Sequence, residues 1–249
     1  MNMKKPKTIV VMPAYNAEAT LQKTVADIPF ECVDEIILVD DASRDKTVER
    51  AENLKNNFLK SKKIPLTIEK MSRNIGYGGN QKRCYDLALA HSADIVVMLH
   101  PDYQYDPKLI KHFVEFIRDG YFDVMLGSRI RTRREALEGG MPAYKYYANR
   151  LLTFVENIAS GQSLSEWHTG MRAYSREVLE SLSYEKFSDD FVFDTQVLFS
   201  IVERGYKIGD IPVPVRYFKE ASSINFKRSV KYGLQTLLEI FKFLINKLL

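Results

Sequence analysis

Residues 35–58 read EIILVDDASRDKTVERAENLKNNF, and this stretch holds one complete unit of the predicted fold. Residues 35–40 are a largely apolar run that ends in aspartate, and a short run of this kind is typical of a buried strand. Residues 45–58 then repeat apolar side chains at a helical spacing, with Asp45 in position to cap the helix. A strand, a polar turn and a helix in this order indicate a parallel strand with its crossover helix.

The same alternation continues on both sides of this unit. Strands are predicted at residues 8–12, 66–70, 93–99 and 123–129, and helices at residues 19–28, 80–91 and 106–120. This order predicts an α/β fold, with a mostly parallel sheet and helices on both of its faces. In such sheets, ligands bind outside the carboxyl ends of the strands.

The second half of the chain is less regular. Helices are predicted at residues 144–160, 175–182 and 191–205, and extended segments at residues 168–174 and 206–217. Pro212 and Pro214 suit an edge strand, because proline cannot donate a ladder hydrogen bond.

An amphipathic helix is predicted for residues 229–249. Glu239, Lys242 and Asn246 share one face. The other face is apolar and comprises Leu237, Leu238, Phe241, Leu244, Ile245 and Leu248. Two interpretations remain open: the apolar face lies in a membrane interface, or it packs on its own domain or on a second subunit.

Composition narrows the class of protein. The chain has 249 residues, of which 45% are hydrophobic and 27% charged, and this fits one α/β domain with or without a short appendage. Cys32 and Cys84 form neither a disulfide framework nor a zinc spacing, so a reducing, cytoplasmic location is expected. No apolar run reaches the ~18 residues of a membrane-spanning helix, and residues 8–12 are too short for a signal-peptide core.

The formal net charge of +4 is unevenly distributed. Residues 216–249 contain seven basic and two acidic side chains, so the rest of the chain is close to neutral. This basic tail indicates either an anionic surface as a partner or a solvated helix face. Nucleic-acid binding is disfavoured, because the body has neither a net positive charge nor an aromatic–basic pattern.

Polar clusters follow all five strands predicted in the first half. They read MPAYNAE (12–18), VDDASRDKT (39–47), SRNIGYGGN (72–80), HPDYQYDP (100–107) and GSRIRTRR (127–134). Because the carboxyl ends of parallel strands meet at one edge of a sheet, these clusters are expected to form one site.

Together with TGMRAYSREVL (169–179), these motifs resemble family 2 glycosyltransferases of the GT-A fold, in particular the polyprenyl-phosphate (dolichyl-phosphate) sugar synthases. The resemblance covers about residues 6–217. It implies a nucleotide-binding half, about 1–129, and an acceptor half, about 130–217. Residues 218–249 would then be a separate basic helical tail.

The resemblance also implies where a nucleotide-sugar donor, UDP- or GDP-linked, would bind. The expected donor residues are Pro13, Ala14, Tyr15, Asn16, Asp40, Asp41, Asn74, Gly76 and Asp102. Asp40 or Asp41 would accept hydrogen bonds from the base or ribose. The alternative for these two carboxylates is a turn that caps the next helix.

A divalent cation, Mg²⁺ or Mn²⁺, is expected at HPDYQ, where the family has a DxD-type motif. Asp102 and Gln104 are the expected oxygen ligands. His100 replaces the usual first carboxylate. It is either a third ligand, which favours Mn²⁺ over Mg²⁺, or a hydrogen-bond partner of the diphosphate or sugar. Asp106 is expected to cap the following helix.

On the acceptor side, the resemblance implies that Arg129 and Arg131 receive a lipid phosphate or the donor diphosphate. For Arg131, a mobile, solvated loop is the alternative. His168, Thr169 and Arg172 belong to the acceptor motif, in which Glu166 stands near the usual aspartate. For Arg172, a buried ion pair is the alternative. Trp167 is interpreted as a core residue, with sugar stacking as the alternative.

Residues 188–196 resemble the family segment that supplies a carboxylate near the acceptor, which implies Asp194, then Asp190, as catalytic residues together with Arg129. A hydroxyl acceptor needs a general base, whereas a phosphate acceptor is already anionic. The expected activity is an inverting, metal-dependent glycosyl transfer. The acceptor is polyprenyl phosphate at the inner face of the cell membrane, or alternatively a glycan hydroxyl.

The sequence gives less support to other classes of function. A nucleotidyltransferase would need a glycine-rich, basic first loop, which residues 12–21 lack. A non-catalytic nucleotide-binding relative is supported only by His100. Among partners, a homo-oligomer is left open by the sequence.

Overall fold

The computed structural model describes residues 5–130, 132–214, 216 and 226–248. Seven described strands form one sheet: β1 (Thr8–Ala14), β2 (Glu35–Asp40), β3 (Leu66–Lys70), β4 (Ile95–Met98), β5 (Val124–Ser128), β6 (Arg172–Ser175) and β7 (Ile208–Pro212). Their order across the sheet is β3-β2-β1-β4-β6-β5-β7. β6 is antiparallel to β4 and β5, and the other neighbouring pairs are parallel. The predicted mostly parallel α/β sheet is confirmed, and the proline-containing β7 lies at its edge as expected.

Ten α-helices are described around the sheet: α1 (Leu21–Ala26), α2 (Thr47–Asn53), α3 (Lys60–Lys62), α4 (Tyr77–Ala90), α5 (Ile110–Arg118), α6 (Arg133–Glu138), α7 (Ala143–Ser160), α8 (Arg176–Ser181), α9 (Phe193–Glu203) and α10 (Phe226–Leu248). A π-helical stretch, Leu54–Leu59, joins α2 to α3. As predicted, Asp45 accepts a hydrogen bond from the N–H of Thr47 at the start of α2 (3.0 Å). Asp106 accepts one from the N–H of Lys108 (3.1 Å) before α5.

Apolar side chains fill both faces of the sheet. In β1, Ile9 and Val11 belong to one core, whereas Val10 and Met12 belong to the other. This division follows from the two-residue period of a strand. Trp167 is buried in the first core, and its Nε1–H donates to Asn157 (2.8 Å), so its core role is confirmed.

The C-terminal helix α10 packs back onto the body. Its buried side chains are Thr236, Ile240 and Phe243, and the ring of Phe243 lies 4.7 Å from that of Phe199 in α9. The helix therefore contacts its own domain through a strip that differs from the predicted apolar face. The expected boundary at residues 217 and 218 lies outside the described residues.

None of the described helices is long and apolar enough to cross a bilayer.

Candidate active site

One cleft of about 900 Å³ lies at the carboxyl ends of the strands. It is lined by most of the predicted site residues, namely Pro13, Ala14, Tyr15, Asn16, Asp41, Asn74, Gly76, His100, Asp102, Gln104, Arg129, His168, Asp190 and Asp194. The structure does not bring Asp40, Thr169 or Arg172, each 0% exposed, to the cleft wall. Arg131, the remaining predicted residue, lies outside the described residues.

Hydrogen bonds hold the loops after β1 and β2 to each other. Asn16 has a left-handed backbone (φ 52°), and its side-chain oxygen accepts from the N–H of Arg44 (2.8 Å). Its own N–H donates to the hydroxyl of Ser43 (2.9 Å). Asparagine tolerates this backbone region better than most residues. Asn16 therefore fixes the shape of the loop next to Tyr15, whose side chain is exposed at the cleft.

The two adjacent aspartates after β2 have different environments. Asp41 faces the cleft, and its carboxylate accepts from the N–H groups of Ile75 (2.7 Å) and Gly76 (3.2 Å). Burial raises the pKa of Asp41 although these hydrogen bonds oppose it. Asp40 is buried beneath it and accepts from the N–H of Ser43 (3.1 Å). Of the two predicted donor carboxylates, only Asp41 is therefore placed to meet a ligand.

The glycines at the start of α4 allow another loop to approach closely. A Cβ at Gly76 (φ 89°) would lie 2.6 Å from the backbone oxygen of Asp189, and one at Gly78 would lie 2.5 Å from that of Ser188. The N–H of Gly78 donates to the oxygen of Asp189 (2.8 Å). Gly76 was predicted as a donor-binding residue, but the close contact of Gly76 and Gly78 with the loop before α9 was not predicted. Their packing brings the segment with Asp190 to the cleft.

The predicted metal residues follow β4. Asp102 and Gln104 both line the cleft, and the N–H of Gln104 donates to Asp102 Oδ1 (3.1 Å). The ring of His100 stacks on Tyr77 (5.3 Å between centroids), and its Nε2 lies 3.2 Å from the Tyr77 hydroxyl. Burial lowers the pKa of His100, although the charge of Asp102 opposes it. His100 is therefore neutral at neutral pH, with one nitrogen already facing a hydroxyl.

This donor set fits a cation that a ligand's phosphates complete. No group of three or more His, Cys, Asp or Glu side chains able to hold a metal occurs within the described ranges. Mg²⁺ is commonly bound by one or two carboxylates plus substrate phosphates rather than by an all-protein cage. Asp102, with Gln104 lining the cleft two residues further on, matches that arrangement. His100 fits better as a neighbour of the diphosphate than as a ligand through Nε2.

Asp194 belongs to a buried polar chain at the start of α9. Its carboxylate accepts from the hydroxyl of Tyr77 (2.8 Å) and from Gln81 (3.1 Å). The guanidinium of Arg172 lies 3.6 Å from the same carboxylate and also donates to the backbone oxygen of Asp194 (3.1 Å). Burial and the charge of Asp194 raise the pKa of Tyr77, so Tyr77 remains a neutral donor.

Arg172 and Thr169 support this chain from below the cleft. Arg172 forms the buried ion pair that the sequence left as its alternative, and it donates to the backbone oxygen of Thr169 (2.7 Å). The Thr169 hydroxyl donates to the backbone oxygen of Gly127. The expected contact of these two side chains with an acceptor does not fit their burial.

Asp190 also lines the cleft and pairs with Lys231 of α10 (2.7 Å). Burial works against ionisation, but hydrogen bonds from Lys231 and from the N–H of Phe191 lower the pKa of Asp190. Asp190 is therefore ionised, and it connects α10 to the loop before α9.

Arg129 lines the cleft while its guanidinium is held by Glu166. Arg129 Nε donates to Glu166 Oε1 (2.8 Å), and the Arg129 N–H donates to Oε2 (2.6 Å). Burial alone would raise the pKa of Glu166, but the Arg129 guanidinium lowers it. Arg129 therefore lines the cleft as one member of an ion pair with Glu166, and its guanidinium has limited freedom to move.

The structure adds cleft residues that sequence analysis missed. Lys145 of α7 is partly buried and lines the cleft, as do Arg228 and Tyr232 of α10. Burial lowers the pKa of Lys145, and the charge of Arg129 lowers it further. In the described part of the chain, Lys145 has no carboxylate within ion-pair distance. None of these residues follows a strand, so sequence analysis did not predict them as site residues. Only the basic character of the tail pointed toward Arg228.

His168 connects Tyr232 to the interior. Its Nδ1 lies 2.6 Å from the Tyr232 hydroxyl, and its Nε2 lies 3.0 Å from the buried carboxylate of Glu156 in α7. The predicted acceptor residue His168 therefore lies where α7 and α10 meet the cleft.

Two curated relatives resemble this chain over most of their length. A UDP-N-acetylglucosamine–dolichyl-phosphate N-acetylglucosaminyltransferase of Methanococcus voltae is 28% identical over 219 residues, 84% of this chain and 85% of the relative. A dolichyl-phosphate hexose transferase of Haloferax volcanii is 28% identical over 209 residues, 83% of this chain and 82% of the relative.

The fold of this chain resembles that of solved structures. Glucosyl-3-phosphoglycerate synthase from Mycobacterium tuberculosis, in complex with Mn²⁺, UDP-glucose and phosphoglyceric acid, has a TM-score of 0.69 at 20% identity. The match covers 96% of this chain and 80% of that chain. The expected GT-A fold is confirmed by this likeness.

The family follows from the sequence match. Residues 9–183 match the family described as Glycosyl transferase family 2, and this range includes the strand-end loops that line one side of the cleft. The chain is an enzyme of this class, as predicted: it belongs to glycosyltransferase family 2.

Proposed function

We propose that this enzyme transfers one sugar from a nucleoside-diphosphate sugar to polyprenyl phosphate, with inversion at the anomeric carbon and with help from a divalent cation. The observation that carries the proposal is one cleft with acidic residues from the strand ends on one wall and basic residues from two helices on the other. Carboxylates at strand ends, Asp41 and Asp102, line it together with the cations Lys145 and Arg228 from α7 and α10.

The strand-end wall suits the donor. Asp41 is positioned by two backbone N–H groups and offers carboxylate oxygens to a base or ribose. Pro13, Ala14 and Tyr15 border the same region. In support, the Methanococcus voltae relative carries UDP-N-acetylglucosamine in its name, and the mycobacterial synthase was solved with UDP-glucose.

Asp102 and Gln104 would hold the cation. When bound, Mg²⁺ or Mn²⁺ would neutralise the charge that develops on the departing nucleoside diphosphate. His100, neutral and stacked on Tyr77, would donate or accept a hydrogen bond beside that diphosphate.

The helical wall suits an anionic acceptor. Lys145 and Arg228 would bind the acceptor phosphate and hold one of its oxygens in line with the anomeric carbon. That oxygen forms the new bond to the anomeric carbon, while the bond from this carbon to the donor phosphate oxygen breaks. An ionised phosphate carries no proton to remove, so the step needs no general base. Both curated relatives are named for transfer to dolichyl phosphate.

Transfer to a glycan hydroxyl is the second candidate. It is favoured by Asp194, a carboxylate that lines the cleft and could accept a hydroxyl proton. Against it, the same carboxylate already accepts from Tyr77 and Gln81 and faces Arg172. A base committed to three partners is poorly placed to collect a further proton.

A lipid acceptor would place the enzyme at the inner face of the cell membrane as a peripheral protein. The donor half would be about residues 1–129 and the acceptor half about residues 130–217, with α10 completing the acceptor wall.

The proposal is tested in two steps. Hydrolysis of several nucleotide sugars, with Mn²⁺ or Mg²⁺, identifies the donor without knowledge of the acceptor. Transfer from that donor is then compared between polyprenyl phosphate and the matching polyprenol, with products identified by mass spectrometry. We expect product only from the phosphate. Product from glycan hydroxyls but not from polyprenyl phosphate would favour the second candidate.

A further inference from the structure

Helix α7 exposes an apolar stripe that no sequence expectation covered. Tyr147, Leu151, Phe154 and Ile158 are between 57% and 67% exposed. Their spacing of four, three and four residues places them on one side of the helix. The opposite side is packed on the body, where Thr153 and Glu156 are buried. The stripe therefore faces away from the protein.

Helix α10 exposes a second stripe. Its members are 38% to 64% exposed and comprise Leu234, Leu237, Leu238, Phe241, Leu244 and Ile245. The helix is held to the body by a different strip, which contains Ile240 and Phe243. Five members of the predicted apolar face of the tail are therefore exposed, namely Leu237, Leu238, Phe241, Leu244 and Ile245.

The two stripes lie side by side, because α7 and α10 pack against each other with Gly233 next to Leu152. We call this surface the α7–α10 platform, made of Tyr147, Leu151, Phe154, Ile158, Leu234, Leu237, Leu238, Phe241, Leu244 and Ile245. Soluble monomers rarely expose contiguous apolar patches larger than a few hundred Å². Ten large apolar side chains on two adjacent helices indicate a surface that meets a partner.

Charge identifies the kind of partner. The same two helices carry exposed cations at Arg150, Lys227, Arg228, Lys242 and Lys247, and at Lys231, which pairs with Asp190. Their two described acidic residues are Glu156, which is buried, and Glu239, which pairs with Lys242 (2.8 Å). An apolar stripe flanked by lysine and arginine is typical of surfaces that enter anionic lipid interfaces. A second copy, placed symmetrically, would bring like charges together.

The platform is continuous with the cleft. Tyr144, Lys145, Ala148 and Leu152 of α7 line the cleft on the neighbouring side of that helix. Arg228, Ser229 and Tyr232 of α10 do the same. A phosphate group at the surface of a bilayer beneath the platform would thus lie close to Lys145 and Arg228.

We propose that the α7–α10 platform docks on an anionic lipid bilayer and presents the cleft to a phosphate-bearing lipid within it. The docking itself rests on the two exposed stripes and their cations. The delivery of an acceptor rests on the proposed function.

Docking is measured by sedimentation of the full chain with vesicles of phosphatidylcholine, with or without phosphatidylglycerol. Leu151→Gln/Phe154→Gln on α7 and Leu237→Gln/Phe241→Gln on α10 should each weaken binding at least about tenfold, because less apolar area enters the interface. Tyr121→Ser, at a 65% exposed aromatic outside the platform, is the control and should bind as wild type does.

The charge contribution is measured separately. Lys227→Gln/Lys247→Gln should weaken binding about tenfold to phosphatidylglycerol vesicles, and far less to pure phosphatidylcholine. Lys55→Gln/Lys111→Gln, at exposed lysines of the body, should have no effect on either.

Failure of docking is distinguishable from failure of the proposed function. Donor hydrolysis in solution needs no membrane, so the platform variants should retain it while losing transfer to polyprenyl phosphate embedded in vesicles. Wild-type vesicle binding by both apolar variants would overturn the proposal. A second result would also overturn the proposal: the wild-type protein is a dimer, Leu151→Gln/Phe154→Gln is a monomer, and neither protein binds vesicles. The platform would then be the contact surface for a second copy of the chain.

Discussion

Arg172 carries a charge into a fully buried position, and Asp194 is the carboxylate that faces it. The pair explains why Arg172 lies close to the site without touching the cleft, although His168 of the same motif lines it. It also changes how Asp194 should be tested, because removing one partner of a buried pair leaves the other charge uncompensated.

We expect Asp194→Asn and Arg172→Gln each to lower the free energy of unfolding by about 3–5 kcal/mol. The double variant should lose less than the sum of both, because the residues interact directly. Urea unfolding of the four proteins measures this coupling. Fully additive losses would mean that the ion pair contributes little.

Activity of Asp194→Asn must therefore be expressed per folded molecule. On the phosphate-acceptor account, transfer to polyprenyl phosphate then stays within a few-fold of wild type. A loss of about 10²-fold or more would instead identify Asp194 as a general base.

A substitution at Lys145 distinguishes acceptor binding from donor binding most directly, because the proposed function assigns Lys145 to the acceptor phosphate. We expect Lys145→Met to raise the KM for polyprenyl phosphate about tenfold or more, because a charge-assisted hydrogen bond is lost. The KM for the nucleotide sugar should change little. Steady-state kinetics with each substrate varied in turn measures both, with Lys111→Met as the control. A selective rise in the donor KM would contradict the assignment.

At the scale of elements, the strand-end residues could be predicted because each follows an apolar run directly. Asp102, Gln104 and Asp41 reach the cleft for this reason. Lys145 and Tyr232 could not be predicted, because they lie on helices whose position depends on packing at α7 and α10. The sequence pattern of α10 marked its apolar side but not which side would pack.

The contact between α4 and the loop before α9 is a second feature that local sequence does not disclose. A Cβ at Gly78 would lie 2.5 Å from the backbone oxygen of Ser188 and 2.7 Å from Phe193 Cβ. Gly79, the next residue, would meet the side chain of Ile75 at 3.3 Å. A side chain at Gly78 would therefore clash with the backbone, whereas one at Gly79 would make a close contact that a side chain can relieve.

We predict that Gly78→Ala lowers the free energy of unfolding by about 1–3 kcal/mol, because backbone atoms must shift to admit the methyl group. Gly79→Ala should cost clearly less, since alanine favours the helix and a side chain can yield. Thermal and urea unfolding of both variants measure the difference. Equal losses would mean that the loop adapts to a side chain at Gly78.

Across the whole molecule, the two ends of the sheet carry different polar groups. The carboxyl ends carry the cleft, and the amino ends carry a polar cluster around Glu35. Glu35 accepts from Lys7 (2.9 Å) and lies 2.7 Å from His91 Nδ1. The strands of the first half and the mostly parallel sheet could be predicted from the apolar runs, whereas the strand order and this cluster depend on neighbours that are far apart in sequence.

Glu35 gives a pH dependence with a defined sign. Burial alone would raise its pKa, but Lys7 and His91 outweigh burial and lower the pKa below 4.5. Its contribution is therefore complete above pH 4.5 and is lost as the pH falls through the lower pKa of the folded protein. We expect Glu35→Gln to cost about 1–3 kcal/mol of unfolding free energy near pH 7. The gap from wild type should narrow below pH 4.5 in urea titrations; a gap that widens there would contradict this.

In the proposed function, Asp102 helps to hold the cation with which the cleft acts on a nucleotide sugar for transfer to a lipid phosphate. The most direct test is the mass-spectrometric yield of sugar-linked polyprenyl phosphate from wild type and Asp102→Asn, with Mn²⁺ or Mg²⁺ present. We predict product and released nucleoside diphosphate from wild type, and at least about a 10²-fold lower rate from the variant, because charge on the leaving diphosphate is no longer stabilised. Equal rates, or no wild-type product from any nucleotide sugar, would contradict the account.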